Sequence, residues 1–233
     1  YIKMVDFTFA HREEGFDEHI EKSIRGYSQL IEDVVSLSRY FIERGTSVID
    51  IGCSTGKMTK ALIDYNLDHC DRGVEYIGLE NADGFQKDLM KREKQIKKYY
   101  SNVEFRNDDA RYYDYNNCSL ITSIFTLQFM PKCDRKETLE GIYEGLNEGG
   151  GFIFAEKTIC ENAQVQDMIT FNYYDYKRKS FTTDDIMDKE RELRHMMKPN
   201  TWREIEDMVL GVGFNVVQPF WRNHAFVGAV AIK

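Results

Sequence analysis

The sequence has little of what interrupts or staples a chain. Its 233 residues include three prolines (Pro131, Pro199, Pro219) and no low-complexity or Ser/Gly-rich stretch, so no interdomain linker is visible and one domain over 1–233 is expected. The five cysteines, Cys53, Cys70, Cys118, Cys133 and Cys160, form an odd set without C-x-x-C spacing, and the five histidines are equally scattered. A reduced protein with no metal site is expected. No apolar run approaches the roughly 20 residues of a membrane-spanning helix, and the opening YIKMVDFTF lacks the apolar core of a secretion signal. The expected compartment is the cytoplasm, with no membrane partner. Positive charge is in deficit too: 31 basic against 39 acidic residues give a net charge of -8, a field that repels polyanions. Direct nucleic-acid binding is therefore not expected, and small molecules are the favoured substrates.

What is present is a core-forming composition, 42% hydrophobic and 30% charged, organised as alternating strands and helices. Leu30, Ile31, Val34, Val35, Leu37 and Phe41 recur at helical spacing over 28–41, with Gly45 placed as a helix C-terminal glycine. Strands are predicted over 47–51, 75–79, 103–106, 119–125 and 152–155, with helices over 57–64 and 83–100 between them. Asp134 and Glu137 form a D-x-x-E start signal for the next helix, and Gly149-Gly150-Gly151 is expected to stop it. Residues 158–200 read as a helical insertion after the fifth strand, with a cap at Thr182-Thr183-Asp184-Asp185. Thr201-Trp202-Arg203-Glu204 opens the last helix as a capping box, and closing strands at 214–218 and 225–232 suggest an edge hairpin. The fold class is α/β: a Rossmann-like, seven-stranded, mostly parallel sheet with N-terminal helices (1–45, a lid) and the helical insertion.

The most informative segment is Asp50-Ile51-Gly52-Cys53-Ser54-Thr55-Gly56. An acid near a strand end is followed by G-x-x-x-G opening a helix, whose glycines permit a sharp turn and whose N-terminus offers N–H groups. This spacing suits a ligand without a pyrophosphate, and Asp50 suits a cation or amine near the turn; S-adenosylmethionine fits both. Glu80, closing the second strand with Asn81 beside it, can accept from ribose hydroxyls. Asp109, after the third strand, can accept from an adenine amino group, with Ala110 offering its N–H.

With these residues in place, the sequence resembles the class I S-adenosylmethionine-dependent methyltransferases and, more narrowly, the carboxy-S-adenosylmethionine synthase family. The narrower resemblance rests on Asp6-Phe7-Thr8-Phe9, Gly26-Tyr27-Ser28, Asp50-Ile51-Gly52-Cys53-Ser54, Phe125-Thr126-Leu127-Gln128-Phe129, Ile142 to Asn147, Glu156-Lys157 and Asp175-Tyr176-Lys177-Arg178, spread over nearly the whole chain. It implies a homodimer that takes S-adenosylmethionine and prephenate, releases phenylpyruvate and forms carboxy-S-adenosylmethionine, a product that feeds wobble-uridine modification of tRNA. A positive sulfur acidifies its methyl group, which can then capture carbon dioxide in a site that excludes water and holds the anion. Carried over by position, Tyr27, Gly52, Cys53, Ser54, Glu80, Asn81, Asp109 and Ala110 contact S-adenosylmethionine or carboxy-S-adenosylmethionine, joined by Asp50, Gly56, Ile124 and Phe125.

Two positions depart from the family pattern. Ile124 replaces an asparagine immediately before FTLQF. The family's arginine in the inserted helix, which pairs with the new carboxylate, aligns with Glu190, and Arg191 is one residue on. Neighbouring helical residues point about 100° apart, so either Arg191 or Glu190 faces the carboxylate or substrate end. If Glu190 does, the pocket favours ordinary S-adenosylmethionine, and a methyltransferase acting on a small molecule or nucleic acid is the alternative. The base-rich Lys91–Lys98 segment reads as a solvated helix face. Tyr173, Tyr174 and Tyr176 either line a substrate cavity or pack the insertion. Cys53 is expected to act through its backbone, and His224 as a surface or packed residue.

Overall fold

A computed structural model describes residues 15–68 and 73–233 of the chain; the Asp6–Phe9 segment, His11, His69 and Cys70 lie outside them. Seven strands run β1 (Ser47–Ile51), β2 (Glu75–Leu79), β3 (Val103–Arg106), β4 (Cys118–Ile124), β5 (Leu146–Ile159), β7 (Val216–Asn223) and β8 (Phe226–Ile232), with a two-residue β6 (Asn200–Thr201) beside β5. Their order in the sheet is β3-β2-β1-β4-β5-β8-β7. The first five are mutually parallel, and β8 is antiparallel to both β5 and β7. The closing hairpin thus exists, but its last strand slots inside the sheet and β7 forms the edge.

The central strands read as unbroken apolar runs because both their faces are covered. Val48, Leu120 and Ile153 point to one side, against Leu30 and Val34 of α2 (Tyr27–Ser38) and Leu62 and Ile63 of α3 (Lys57–Asn66). Ile49, Ile121, Phe152 and Phe154 point to the other, against Leu139 and Ile142 of α5 (Lys132–Gly145) and Val209 of α8 (Trp202–Gly211). The remaining helices are α1 (Phe16–Ser23), α4 (Gln86–Ile96), α6 (Ala163–Lys177) and α7 (Thr183–Met196). Both expected capping boxes form: Thr182 with Asp185 on α7, and Thr201 with Glu204 on α8. No helix among the described residues is long and apolar enough to cross a membrane.

Three boundaries differ from expectation, each for a local reason. Helix α5 starts at Lys132 behind Pro131, two residues before Asp134, whose carboxylate accepts from Arg111 Nη1 at 2.7 Å instead of capping. Pro131 fixes the entry dihedral, and Asp134 becomes a first-turn acid. The triple glycine does not end a helix. It lies inside β5, where Gly149 takes a φ of +77° beside a register shift against β4, the bulge role of a strand glycine. The insertion is also shorter than 158–200. Thr158 and Ile159 continue β5 and pair in parallel with Asn200 and Thr201, so the chain leaves the sheet and returns at one point.

Candidate active site

The strand order reverses between β1 and β4, and in an open parallel sheet the crevice at such a reversal lies outside the carboxyl ends of the strands. A cavity of about 640 Å³ lies there, within the range of cofactor sites. Its walls include Tyr27, Asp50, Gly52, Cys53, Ser54, Glu80, Asn81, Asp109, Ala110, Ile124 and Phe125. The sequence-predicted residues from five segments of chain therefore converge. Gly56 is not in the wall. Its φ is +71° and a Cβ there would lie 2.6 Å from the Phe105 ring, so it serves the entry into α3.

The glycine turn works as a rigid cradle more than as a source of free donors. The N–H groups of Gly52 and Cys53 both donate to the Leu79 carbonyl, at 2.8 and 3.1 Å. The Ser54 N–H donates to Glu80 Oε2 at 3.0 Å, with Ser54 held at a φ of +52°. β1 and β2 are close enough to consume the N–H groups of these three turn residues, whereas the donors expected from the sequence belong to the N-terminus of α3. Gly52, at a φ of +68°, is pressed against Thr126, so that a Cβ would lie 2.2 Å from its Oγ1. That packing leaves the cavity side of the turn open to a close-approaching ligand.

Two acids sit beneath and beside the turn. Asp50 is buried and accepts from Thr59 Oγ1 at 2.6 Å and Thr122 Oγ1 at 3.0 Å. Burial pushes its carboxyl up to about 6 against the opposing pull of those two hydroxyls, and the nearby Glu80 raises it further. A cationic amine arriving here would restore the charged form. Glu80 accepts from Ser54 N–H with one oxygen and from Ala82 N–H, at 2.9 Å, with the other. Burial again raises its pKa. Each oxygen keeps a further lone pair for hydroxyls. Asp109 is more heavily engaged: Arg111 grips it from Nε at 3.0 and 3.1 Å and from Nη2 at 2.6 Å. Those bonds hold its carboxyl below the usual range. Arg111 went unpredicted, although its i+2 position after Asp109 was a usable signal.

Helices α1 and α2 cover the crevice, contributing Asp17, His19, Ile20, Tyr27 and Ile31 to the walls. Burial, with Asp17 adding to it, raises the Tyr27 phenol, whose ring lies 6.4 Å from that of Phe125. Cys53 is buried and its thiol is pushed well up by burial and by Asp50 and Glu80, which removes any nucleophilic role. The base-rich segment lies on α4, where Ile96 is buried, Arg92 Nε donates to Thr55 O at 3.1 Å and Lys97 pairs with Glu93. His224 Nε2 lies 2.8 Å from Asn172 Oδ1.

The far end of the cavity, beyond β4 and β5, holds residues the sequence left open. Tyr173, Lys157, Lys177 and Lys189 are in its wall, but Arg191 and Glu190 are not. Arg191 points to solvent, with its side chain 73% exposed and paired with Asp188 at 2.8 Å. Glu190 points inward from α7 and is buried; its Oε2 lies 3.6 Å from Lys157 Nζ. Helix α7 needs an inner face, and the capping box at Thr182 sets its phase so that Ile186 and Glu190, four residues apart, share that face. Gln128 of the FTLQF segment is buried too, and its Oε1 accepts the Lys157 N–H at 2.7 Å, pinning the end of β5.

Below this end, Glu156 is fully buried, with one carboxylate oxygen unpartnered. Burial pushes its pKa from 4.5 up to about 8, against Arg135 and the N–H groups of Gln128 and Leu127. Between these two values the fold holds a proton that the unfolded chain has released, so stability is complete below 4.5 and declines as pH rises through 8. One such group gives at most about 1.4 kcal/mol per pH unit. Urea unfolding of wild type from pH 5 to 8 is expected to show this decline, flattened in Glu156→Gln. An unchanged slope in the variant would show that Glu156 is ionised in the fold.

The sheet order, the glycine turn and the acids at successive strand ends define a class I methyltransferase fold and an S-adenosylmethionine-dependent transferase. The family described as Methyltransferase domain matches residues 48–150. The carboxy-S-adenosyl-L-methionine synthase of Staphylococcus epidermidis is 32% identical over 94% of this chain and 92% of its own length. The synthase of Shewanella baltica is 30% identical over 98% of this chain and 93% of its own. Among solved structures, a putative O-methyltransferase from Nostoc punctiforme superimposes with a TM-score of 0.60 at 18% identity, covering 88% of this chain and 57% of that one. The chain belongs to the carboxy-S-adenosyl-L-methionine synthase family.

Proposed function

We propose that this protein converts S-adenosylmethionine and prephenate into carboxy-S-adenosylmethionine, phenylpyruvate and water, as a cytoplasmic homodimer whose product serves wobble-uridine modification of tRNA. The observation that carries the reaction is the lysine-lined far end of the cavity, an anion-attracting region next to a site for a sulfonium. Tyr27, Asp50, Gly52, Cys53, Ser54, Glu80, Asn81, Asp109, Ala110, Ile124 and Phe125 would hold S-adenosylmethionine. Asp50 lies where its amino group would meet a carboxylate, and Glu80 where ribose hydroxyls would find acceptors. When bound, the group supplies a methyl made acidic by positive sulfur. The chain's own part is to exclude water with α1 and α2 and to offset developing negative charge with lysines. Val165, Met168 and Phe171 form an exposed apolar stripe on α6 that the homodimer would cover.

One observation favours a second reading. Glu190 faces inward where the family has an arginine, and a carboxylate there suits a pocket for unmodified S-adenosylmethionine and a methyl acceptor. Mass spectrometry of the nucleoside released after incubation with S-adenosylmethionine, with and without prephenate, separates the two. A species heavier by one carboxylate, formed only with prephenate, is the expected result. Unmodified S-adenosylmethionine in every sample would overturn the synthase reading and direct the search to a methyl acceptor.

A further inference from the structure

The opposite end of the cavity, at the loop after β3, carries a charge cluster built on one arginine. Three hydrogens of Arg111 hold the Asp109 carboxylate. The backbone N–H and Nε each reach Oδ1 at 3.0 Å, Nε is shared with Oδ2 at 3.1 Å, and Nη2 reaches Oδ2 at 2.6 Å. The remaining arm, Nη1, donates to Asp134 Oδ2 at 2.7 Å, on the first turn of α5. The guanidinium also stands over the Tyr112 ring, 5.2 Å from its centre. Asp109 and Arg111 line the cavity beside Met130 and Pro131, whereas Asp134 is outside the wall. The arginine therefore ties the loop after β3 to the start of α5, and so fixes two sides of one end of the cavity.

Counting donors against acceptors gives this cluster a use. An ionised carboxylate offers about four acceptor positions, and the three hydrogens of Arg111 take three of them. Oδ1 is filled by the backbone N–H and Nε, so the position left open is on Oδ2. A two-pronged guanidinium also fixes the plane of the carboxylate, although the Asp109 side chain is 25% exposed and would otherwise be free to turn. The same bonds favour its charged form. Nη2 keeps a second hydrogen beyond the one given to Oδ2. This end of the cavity thus presents one immobile anionic acceptor beside an N–H donor. An amino group next to a ring nitrogen is the complement, donor beside acceptor. A 6-oxo group in place of the amine sets its oxygen against a carboxylate that cannot turn away, and a buried charge facing the wrong partner discriminates strongly.

We propose that Arg111 sets the purine specificity of this site: it immobilises Asp109 with one acceptor position open, so that a 6-aminopurine is taken and a 6-oxopurine refused, and Asp134 is the positioning residue that anchors Arg111 from α5. The assignment deepens the proposed binding of S-adenosylmethionine, because it rests on the base lying at Asp109. It is independent of whether the group then transferred is a carboxylate or a methyl.

The test is calorimetric titration of the full chain with adenosine, inosine and S-adenosylmethionine. Wild type is expected to bind adenosine at least about tenfold more tightly than inosine. Arg111→Met should bring that ratio below about threefold, with adenosine weakened and inosine unchanged or tighter, because the acid is then free to turn from the oxygen. Arg111→Lys should keep only part of the ratio, since one ammonium cannot hold both Asp109 oxygens and Asp134 together. Asp134→Ala should give an intermediate ratio, and Asp134→Asn, which keeps an acceptor for Nη1, should preserve most of it. A loss of adenosine and inosine in equal proportion in both Arg111 variants would show a staple for the loop and overturn the proposal. An unchanged ratio in both would overturn it as well. Wild type that binds S-adenosylmethionine but does not prefer adenosine would place the base away from Asp109, overturning the proposal and leaving the cofactor reading intact. Failure of wild type to bind S-adenosylmethionine at all would overturn that reading and the proposal with it.

Discussion

Gly52→Ala is expected to weaken S-adenosylmethionine binding by at least a hundredfold, about 2.7 kcal/mol. Two costs combine. The added Cβ would lie 2.2 Å from Thr126 Oγ1 and 2.6 Å from its Cγ2, and Thr126 cannot easily retreat because its hydroxyl donates to Ile51 O at 3.1 Å. An L-residue at a φ of +68° adds roughly 1–2 kcal/mol of its own. Relief would come by pushing the turn into the cavity, into the space a cofactor needs. The double variant Gly52→Ala/Thr126→Gly removes the clash and keeps the dihedral cost, so it should recover part of the affinity. Calorimetric titration of both variants checks this; a single variant within threefold of wild type would show that the turn is looser than its contacts indicate.

Arg135→Met is expected to destabilise the fold by about 3–5 kcal/mol. Arg135 is 4% exposed. It donates to Gln128 O at 3.0 Å and Met130 O at 3.1 and 3.0 Å, and to the Asn200 side chain. Methionine fills much of the volume but takes the guanidinium from the Met130 carbonyl and Asn200 Oδ1, at about 1–3 kcal/mol each before relaxation, while the Gln128 carbonyl keeps the Lys198 N–H at 3.1 Å. Glu156 adds little to the loss at neutral pH, because with its pKa raised to about 8 it is already largely protonated. Arg135→Lys should restore only a fraction, since one ammonium cannot span acceptors set out for a planar fork. Urea unfolding measures the effect, and a loss below 1 kcal/mol would show that water replaces the missing donors. Because the Met130 carbonyl belongs to the turn that follows Gln128, the proposed turnover should fall along with stability.

The sheet was legible because its strands obey simple rules: apolar runs, a glycine turn between strand and helix, and acids at strand ends in chain order. The capping boxes at Thr182 and Thr201 were equally plain, since each is a local bond pattern. Pro131 beat Asp134 as the start of α5 because a fixed dihedral and a distant arginine outweighed a short motif. The hold of Arg111 on Asp109 had a signal in its i+2 spacing, whereas the outward turn of Arg191 could not be read, as it depends on where a long side chain finds a partner. The lysine end of the cavity was hidden for the same reason: Lys157, Lys177 and Lys189 come from three elements, and only the return of the chain beside β5 brings them together.

The bond from Ser54 N–H to the Glu80 carboxylate, described above as part of a cradle, also makes one lever of two half-sites. The carboxylate that would meet the ribose also holds the backbone that would meet the methionine, so occupancy of either half stiffens the other. Adenosine and methionine offered as separate fragments should therefore help each other bind, and an inhibitor bridging both halves would draw on that linkage as well as on its own contacts.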